Sequence, residues 1–194
     1  MLTKEWKLIP GWFNEAEAKV LYDLVFKIPE PATIIEIGCF RGRSTYVMLE
    51  ACKDSSLFGH KKVSCVDNFS GTGSVLLDEP RDEAKIQREK ETFFENIASL
   101  TNFFGQLYDL DSAEWFRRKA NIRYQMFFID GCHPMIASDV QSAWQLLMPG
   151  GLLVCHDYDI SDPNSAVVRE INQLLLPGKH CGVSGTSLYI VEKP

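Results

Sequence analysis

Basic clusters, paired cysteines and long apolar runs are all scarce or missing in this sequence. The formal charge is −6, from 20 Lys and Arg against 26 Asp and Glu, and the nearest thing to a basic run is Arg117-Arg118-Lys119. Binding to a phosphate backbone depends on clustered cations that release counterions, so no nucleic-acid partner is expected, and the basic trio reads as a solvated helix face. None of the six cysteines, Cys39, Cys52, Cys65, Cys132, Cys155 and Cys181, belongs to a CxxC pair. That excludes a zinc knuckle and a thioredoxin-like motif. Most of them sit inside apolar segments, where buried thiols act as core filler and suit a reducing cytoplasm. No stretch reaches the roughly 18 uncharged apolar residues of a membrane span, and the opening MLTKEWKLIPGWF lacks the apolar core of a signal peptide. The expected location is cytoplasmic, without a membrane partner. A homodimer is expected only because dimers are the commonest oligomers.

What is present is a globular composition, 45% hydrophobic and 24% charged over 194 residues. That length suits one domain, residues 1–194, with residues 1–30 as an N-terminal helical cap. Asn14 followed three residues later by Glu17 resembles a capping box that starts an amphipathic helix running to about Lys27. Short β-branched or aromatic runs end at Ile37, Val66, Tyr108, Ile129 and Cys155, each followed by a helical stretch, and two last strands lie near Cys181–Val183 and Ser187–Val191. Strands alternating with helices predict an α/β fold, a doubly wound seven-stranded sheet that is mostly parallel and covered on both faces. In such sheets ligands bind beyond the carboxyl ends of the strands, where Gly38, Asp67, Asp130 and Asp157 fall. The polar loop from Asn68 to Pro80 is a lid candidate.

The segment Glu36-Ile37-Gly38-Cys39-Phe40-Arg41-Gly42-Arg43-Ser44-Thr45 places two glycines four apart between a buried strand and a helix. Glycine there permits positive φ and close approach of a ligand, and the helix start offers free N–H groups. The GxGxxG pattern of a dinucleotide site is absent. Asp67 ends the next strand about 30 residues on, where an acid can accept ribose hydroxyls or simply cap a loop.

With these pieces in order, IIEIGCFRGRST, VDNFSG, DLDSAEW, FFIDGCH and LLMPGGLLVCHDYD, the chain resembles class I S-adenosylmethionine-dependent methyltransferases. In particular it resembles the small-molecule family grouped with macrocin and cephalosporin-pathway enzymes. The resemblance implies a Rossmann-like sheet with an antiparallel last strand and S-adenosylmethionine as cofactor. It also implies that Glu36, Gly38 and Gly42 form the wall against the cofactor's amino acid part, that Asp67 holds the ribose and that Asp111 with Ser112 flanks the adenine. Cys39, Phe40, Ser44, Asn68 and Asp130 complete the expected cofactor-binding set. Cys39, Phe40 and the Asp109-Leu110-Asp111 run depart from the residues usual in the family.

The activity implied is methyl transfer to a hydroxyl of a small metabolite. Most of the catalysis is then a matter of positioning, with a base to take the hydroxyl proton. His133, His156 and Asp130 are the catalytic candidates, either histidine serving as base or as a loop-bonding structural residue, whereas His60 and His180 read as structural. Some relatives bind a divalent cation such as Mg2+ at these strand ends. Here Asp130 and Asp157 would supply oxygen ligands, joined by His156 or Asp159. Trp6, Trp12, Trp115 and Trp144 read as core packing. Two other classes stay open, a non-catalytic cofactor-binding module and a hydroxylase or oxidoreductase on the same fold.

Overall fold

The computed structural model describes residues 2–70, 82–119, 122–131, 133–183 and 185–194, with the backbone alone for residues 179–182. Most of the lid candidate, and Cys132, lie outside the described residues. Among these residues, seven strands, β1 (Ala32–Ile37), β2 (Lys61–Val66), β3 (Phe104–Tyr108), β4 (Tyr124–Ile129), β5 (Leu147–Cys155), β6 (Lys179–Gly182) and β7 (Tyr189–Glu192), form one sheet in the order β3-β2-β1-β4-β5-β7-β6. β1 to β5 run parallel, and β7 is antiparallel to both β5 and β6. The fold is therefore the Rossmann-like, mostly parallel sheet that the alternating pattern predicts. The direction of winding reverses between β1 and β4, which puts the crevice for a ligand beyond Ile37 and Ile129.

Among the described residues, six α-helices cover the sheet: α1 (Glu15–Lys27), α2 (Arg43–Ser55), α3 (Glu83–Ile97), α4 (Ser112–Arg118), α5 (Ile136–Leu146) and α6 (Ala166–Gln173). Because successive strand residues point to opposite faces, each central strand feeds two cores. Ile34, Met126, Phe128 and Val154 pack with α1, α2 and α3 on one side, and Ile35, Ile37, Phe127, Ile129 and Leu153 pack with α4, α5 and α6 on the other. The short apolar strands of the sequence are thus buried on both faces, as parallel strands must be.

The capping box at α1 is present in full. Asn14 Oδ1 accepts from the Glu17 N–H at 3.0 Å, and Glu17 Oε2 accepts from the Asn14 N–H at 2.9 Å. β5 begins earlier than its apolar run suggests. It continues back through Pro149-Gly150-Gly151, where the pairing with β4 shifts register and Gly150 takes φ +74°. The cysteine reading holds for Cys39, Cys52, Cys65 and Cys155, which are buried free thiols. The tryptophan reading holds for Trp6 and Trp115, which are buried, and half-holds for Trp144. It fails for Trp12, which is 74% exposed. Among the described residues, no helix is long and apolar enough to cross a membrane.

Candidate active site

The chain leaves β1 through Gly38 at φ +85°, where an added Cβ would stand 2.4 Å from the Asp130 carbonyl oxygen. Only glycine fits there, because the backbones at the ends of β1 and β4 touch. Gly42, also at φ +85°, precedes α2, and a Cβ there would meet the Phe93 ring at 3.0 Å. Between them Phe40 takes the left-handed conformation at φ +45°. Asp67 at the end of β2 closes over this loop. Its Oδ2 accepts from the N–H groups of Cys39 (2.9 Å) and Phe40 (2.8 Å), and its Oδ1 accepts from that of Phe69 (2.7 Å). Three of its roughly four lone-pair positions are taken by backbone, which favours the ionised form, although burial raises its pKa overall.

Glu36 does not face the crevice. Its carboxylate is wholly buried under the loop, accepts from the Ser44 and Thr45 hydroxyls of α2 and lies near Cys65 Sγ. Burial outweighs these bonds and pushes its pKa up to about 7. The expectation that Glu36 and Ser44 face the cofactor is corrected: both are buried, and they tie the first turn of α2 to β1. Cys39 is likewise buried, with its backbone N–H given to Asp67, so it shapes the loop from behind. Asn68 spends its Oδ1 on the N–H and hydroxyl of Ser70. Asp111 caps α4 by accepting from the Glu114 N–H at 2.8 Å, and it is exposed beside half-buried Ser112.

Across the crevice, the ends of β4 and β5 carry a chain of charged groups. His156 is 6% exposed. Its Nδ1 lies 2.9 Å from Asp130 Oδ1 and 3.3 Å from Asp157 Oδ1, and its Nε2 lies 3.3 Å from Glu17 Oε2, within ion-pair range but out of hydrogen-bond alignment. Glu17 Oε1 in turn accepts from the Ser187 N–H (3.0 Å) and hydroxyl (2.6 Å) just before β7. Burial alone would lower the imidazole's pKa, but the carboxylates of Asp130, Glu17 and Asp157 together raise it to about 10. At Glu17, His156 together with the hydrogen bonds from Asn14 and Ser187 outweighs burial and lowers the pKa to about 2. With both nitrogens facing carboxylates, His156 favours the protonated form, a setting that suits a fixed cation better than the base the sequence offers it as.

His133 has the opposite setting. Its ring is half-exposed and its Nε2 lies 2.8 Å from Asp157 Oδ2. Asp157, at φ +60° where β5 ends, turns this carboxylate oxygen outward. Asp159 stays apart, spending its Oδ1 on Ser161. Glu17 was read from sequence only as a cap. The one signal of its second role was local, an acid on the first turn of a helix that must pack against a sheet.

A protein-family model described as a methyltransferase domain matches residues 35–158, more than half of the chain, from the second half of β1 to just past the end of β5. No match emerged among curated proteins. Among solved structures, the chain is similar to an O-methyltransferase from Bacillus cereus in complex with S-adenosylhomocysteine, with a TM-score of 0.66 and 16% identity over 100% of this chain and 92% of that one. It is similar to the O-methyltransferase TomG of tomaymycin synthesis from Streptomyces achromogenes, in complex with S-adenosylmethionine (TM-score 0.63, 14% identity, covering 93% and 81%). It is also similar to the TDP-rhamnose 3′-O-methyltransferase of calicheamicin biosynthesis (TM-score 0.64, 14% identity, covering 93% and 81%). At these identities the likeness is one of fold. The family model and the sheet order agree, and the chain belongs to the methyltransferase domain family as a class I S-adenosylmethionine-dependent methyltransferase.

Proposed function

We propose that this chain is a single-domain O-methyltransferase that takes S-adenosylmethionine and a small hydroxylated acceptor, with residues 1–30 capping the crevice. The observation that carries the reading is the His133–Asp157 pair, an accessible imidazole held by a carboxylate beyond the strand ends. With Nε2–H donated to Asp157, Nδ1 is left as the acceptor, the arrangement of a general base and its orienting acid. When bound, the cofactor would supply an electrophilic methyl on a sulfonium, its S–C bonding pair staying on sulfur as the methyl passes to the acceptor oxygen. His133 Nδ1 would hold the acceptor hydroxyl and take its proton. Gly38 and the backbone of the loop after it would line the cofactor's amino acid part. Asp67 would offer its remaining lone pair to the ribose, Asp111 and Ser112 would flank the adenine, and Asp130 would border the methyl. The kinship to macrocin and cephalosporin-pathway enzymes rests on the FFIDGCH and LLMPGGLLVCHDYD motifs alone. Free buried thiols support a cytoplasmic setting.

A divalent cation fits this site poorly. One donor atom each from Asp130, His156 and Asp157 lies within 4.8 Å of the others. Magnesium, however, favours an all-oxygen shell, and the central donor is an imidazolium already bonded to Asp130. The positive charge beside these two aspartates belongs to the protein.

The test is a thermal-shift comparison of S-adenosylhomocysteine with NAD, together with His133→Asn. Stabilisation by S-adenosylhomocysteine is expected, with turnover in the variant down by about 10²–10⁴-fold at unchanged cofactor affinity. Stabilisation by NAD alone would sink the reading.

A further inference from the structure

Trp12 is the one tryptophan that the fold holds out of its cores, at 74% exposure, and it is held rather than loose. Its ring stacks on Phe40 at 5.8 Å between centroids and 29° between planes. Phe40 is itself fixed. Its N–H is bound by Asp67, and the Arg41 guanidinium lies over its ring at 5.0 Å while donating two hydrogen bonds to Glu89 of α3. On the chain side, the Gly11 carbonyl accepts from Arg43 Nη1, and an added Cβ at Gly11 would stand 3.0 Å from Arg43 Cδ. The next residue, Phe13, is buried with its ring 5.4 Å from that of His156 and 5.9 Å from that of Phe128. Trp12 is thus fastened between the loop after β1 and the ends of β4 and β5, the two walls of the proposed methyl-transfer site. A large rigid ring kept in water at the rim of a crevice, on a backbone clamped from both sides, is what a stacking partner requires.

We propose that Trp12, backed by Phe40, is the platform on which the acceptor stacks, so that this site takes a six-membered ring with an apolar face and turns its hydroxyl toward His133. The inference rests on the methyl-transfer reading and names its substrate class. Aromatic rings and pyranose rings both offer such a face, and the test separates them.

The full chain, saturated with S-adenosylhomocysteine, is titrated with catechol in one arm and methyl β-glucoside in the other while acrylamide quenching of tryptophan emission is followed. Trp6 and Trp115 are buried and Trp144 is half-buried, so the readily quenched emission comes chiefly from Trp12, and Trp12→Phe supplies the background. One probe is expected to shield that emission. Trp12→Ala is expected to weaken that probe's binding at least about 10-fold and Trp12→Phe by no more than about threefold, with S-adenosylhomocysteine affinity within twofold in both. Shielding by catechol assigns an aromatic acceptor, and shielding by the glucoside assigns a sugar. If neither probe shields Trp12, or if Trp12→Ala weakens S-adenosylhomocysteine as much as the probe, the platform is refuted and the methyl-transfer reading stands. If S-adenosylhomocysteine fails to bind the unaltered chain, both fall.

Discussion

Replacing Glu17 by glutamine separates the two roles of this side chain, because only one of them depends on charge. The rise of His156 from its usual 6.5 to about 10 corresponds to roughly 4–5 kcal/mol of preference for the protonated form. The ring faces Asp130 and Asp157 on one nitrogen and Glu17 on the other, with Asp130 the leading partner, so at most about half of that, some 2 kcal/mol, belongs to Glu17. At 6% exposure His156 has little solvent to screen the pair. The second role is hydrogen bonding. Both carboxylate oxygens accept, from Asn14 on one side and Ser187 on the other, whereas an amide accepts with one end only. One of these donors then faces an NH2 group, which costs a further ~1–2 kcal/mol. Near pH 6 the variant is expected to lose about 3–4 kcal/mol, or on the order of 10 °C in Tm for a chain of this size.

The pH dependence distinguishes the parts. A group whose pKa is raised by folding contributes its full stability below the unfolded value and loses it as pH rises through the folded value. The unfolded state is common to both proteins, so their difference should hold steady from pH 6 until His156 begins to lose its proton in the variant, near pH ~8, shrink from there to about 10, and level off at the ~1–2 kcal/mol of the hydrogen-bond part. Glu17, lowered to about 2, stays ionised in the fold across this whole range. Urea unfolding at pH 6 and pH 10.5 measures both ends. An equal loss at the two pH values would refute the buried His156–Glu17 ion pair and leave Glu17 as a helix cap and strand tie alone.

The remaining predictions concern the loop and the cation. Gly38→Ala should destabilise the chain by more than about 3 kcal/mol in urea melts, because positive φ and a 2.4 Å contact with the Asp130 carbonyl act together, while Gly59→Ala, with open space around it, should cost about 1 kcal/mol. Glu36, raised to about 7, should make the fold less stable as pH climbs from about 4.5 to 7, by roughly 3 kcal/mol in all. Glu36→Gln removes that slope, so its stability relative to the unaltered chain should rise with pH over this window, and a flat difference would count against a buried, titrating Glu36. Turnover should be unchanged by EDTA and by added Mg2+; loss with the chelator and rescue by the ion would show that a metal displaces the His156 proton.

What the sequence revealed about this site follows how far apart the interacting residues lie along the chain. Gly38, Gly42, Asp67, Asp130 and Asp157 were legible because each owes its place to a strand ending beside it, and strand ends can be read from runs of six residues. Glu36 was legible by position but not by direction: alternation along β1 puts its side chain under the loop, where Ser44 and Thr45 of α2 wait, and that depends on which face α2 covers. His156 and Glu17 are 139 positions apart, and what makes one a cation and the other a deep acid is a meeting between the start of α1 and the end of β5. The capping box fixes where α1 begins, so the same four residues that start the helix also set the depth at which Glu17 enters the site. Trp12 follows from the same constraint. With Phe13 drawn inward against His156 and Gly11 clamped by Arg43, the residue between them is left exposed, its ring stacked on Phe40 of the loop after β1. The helix start thus sets one buried charge against the end of β5 and one exposed ring against the loop after β1, which is why the proposed acceptor platform and the His156 cluster both hang on the same four residues.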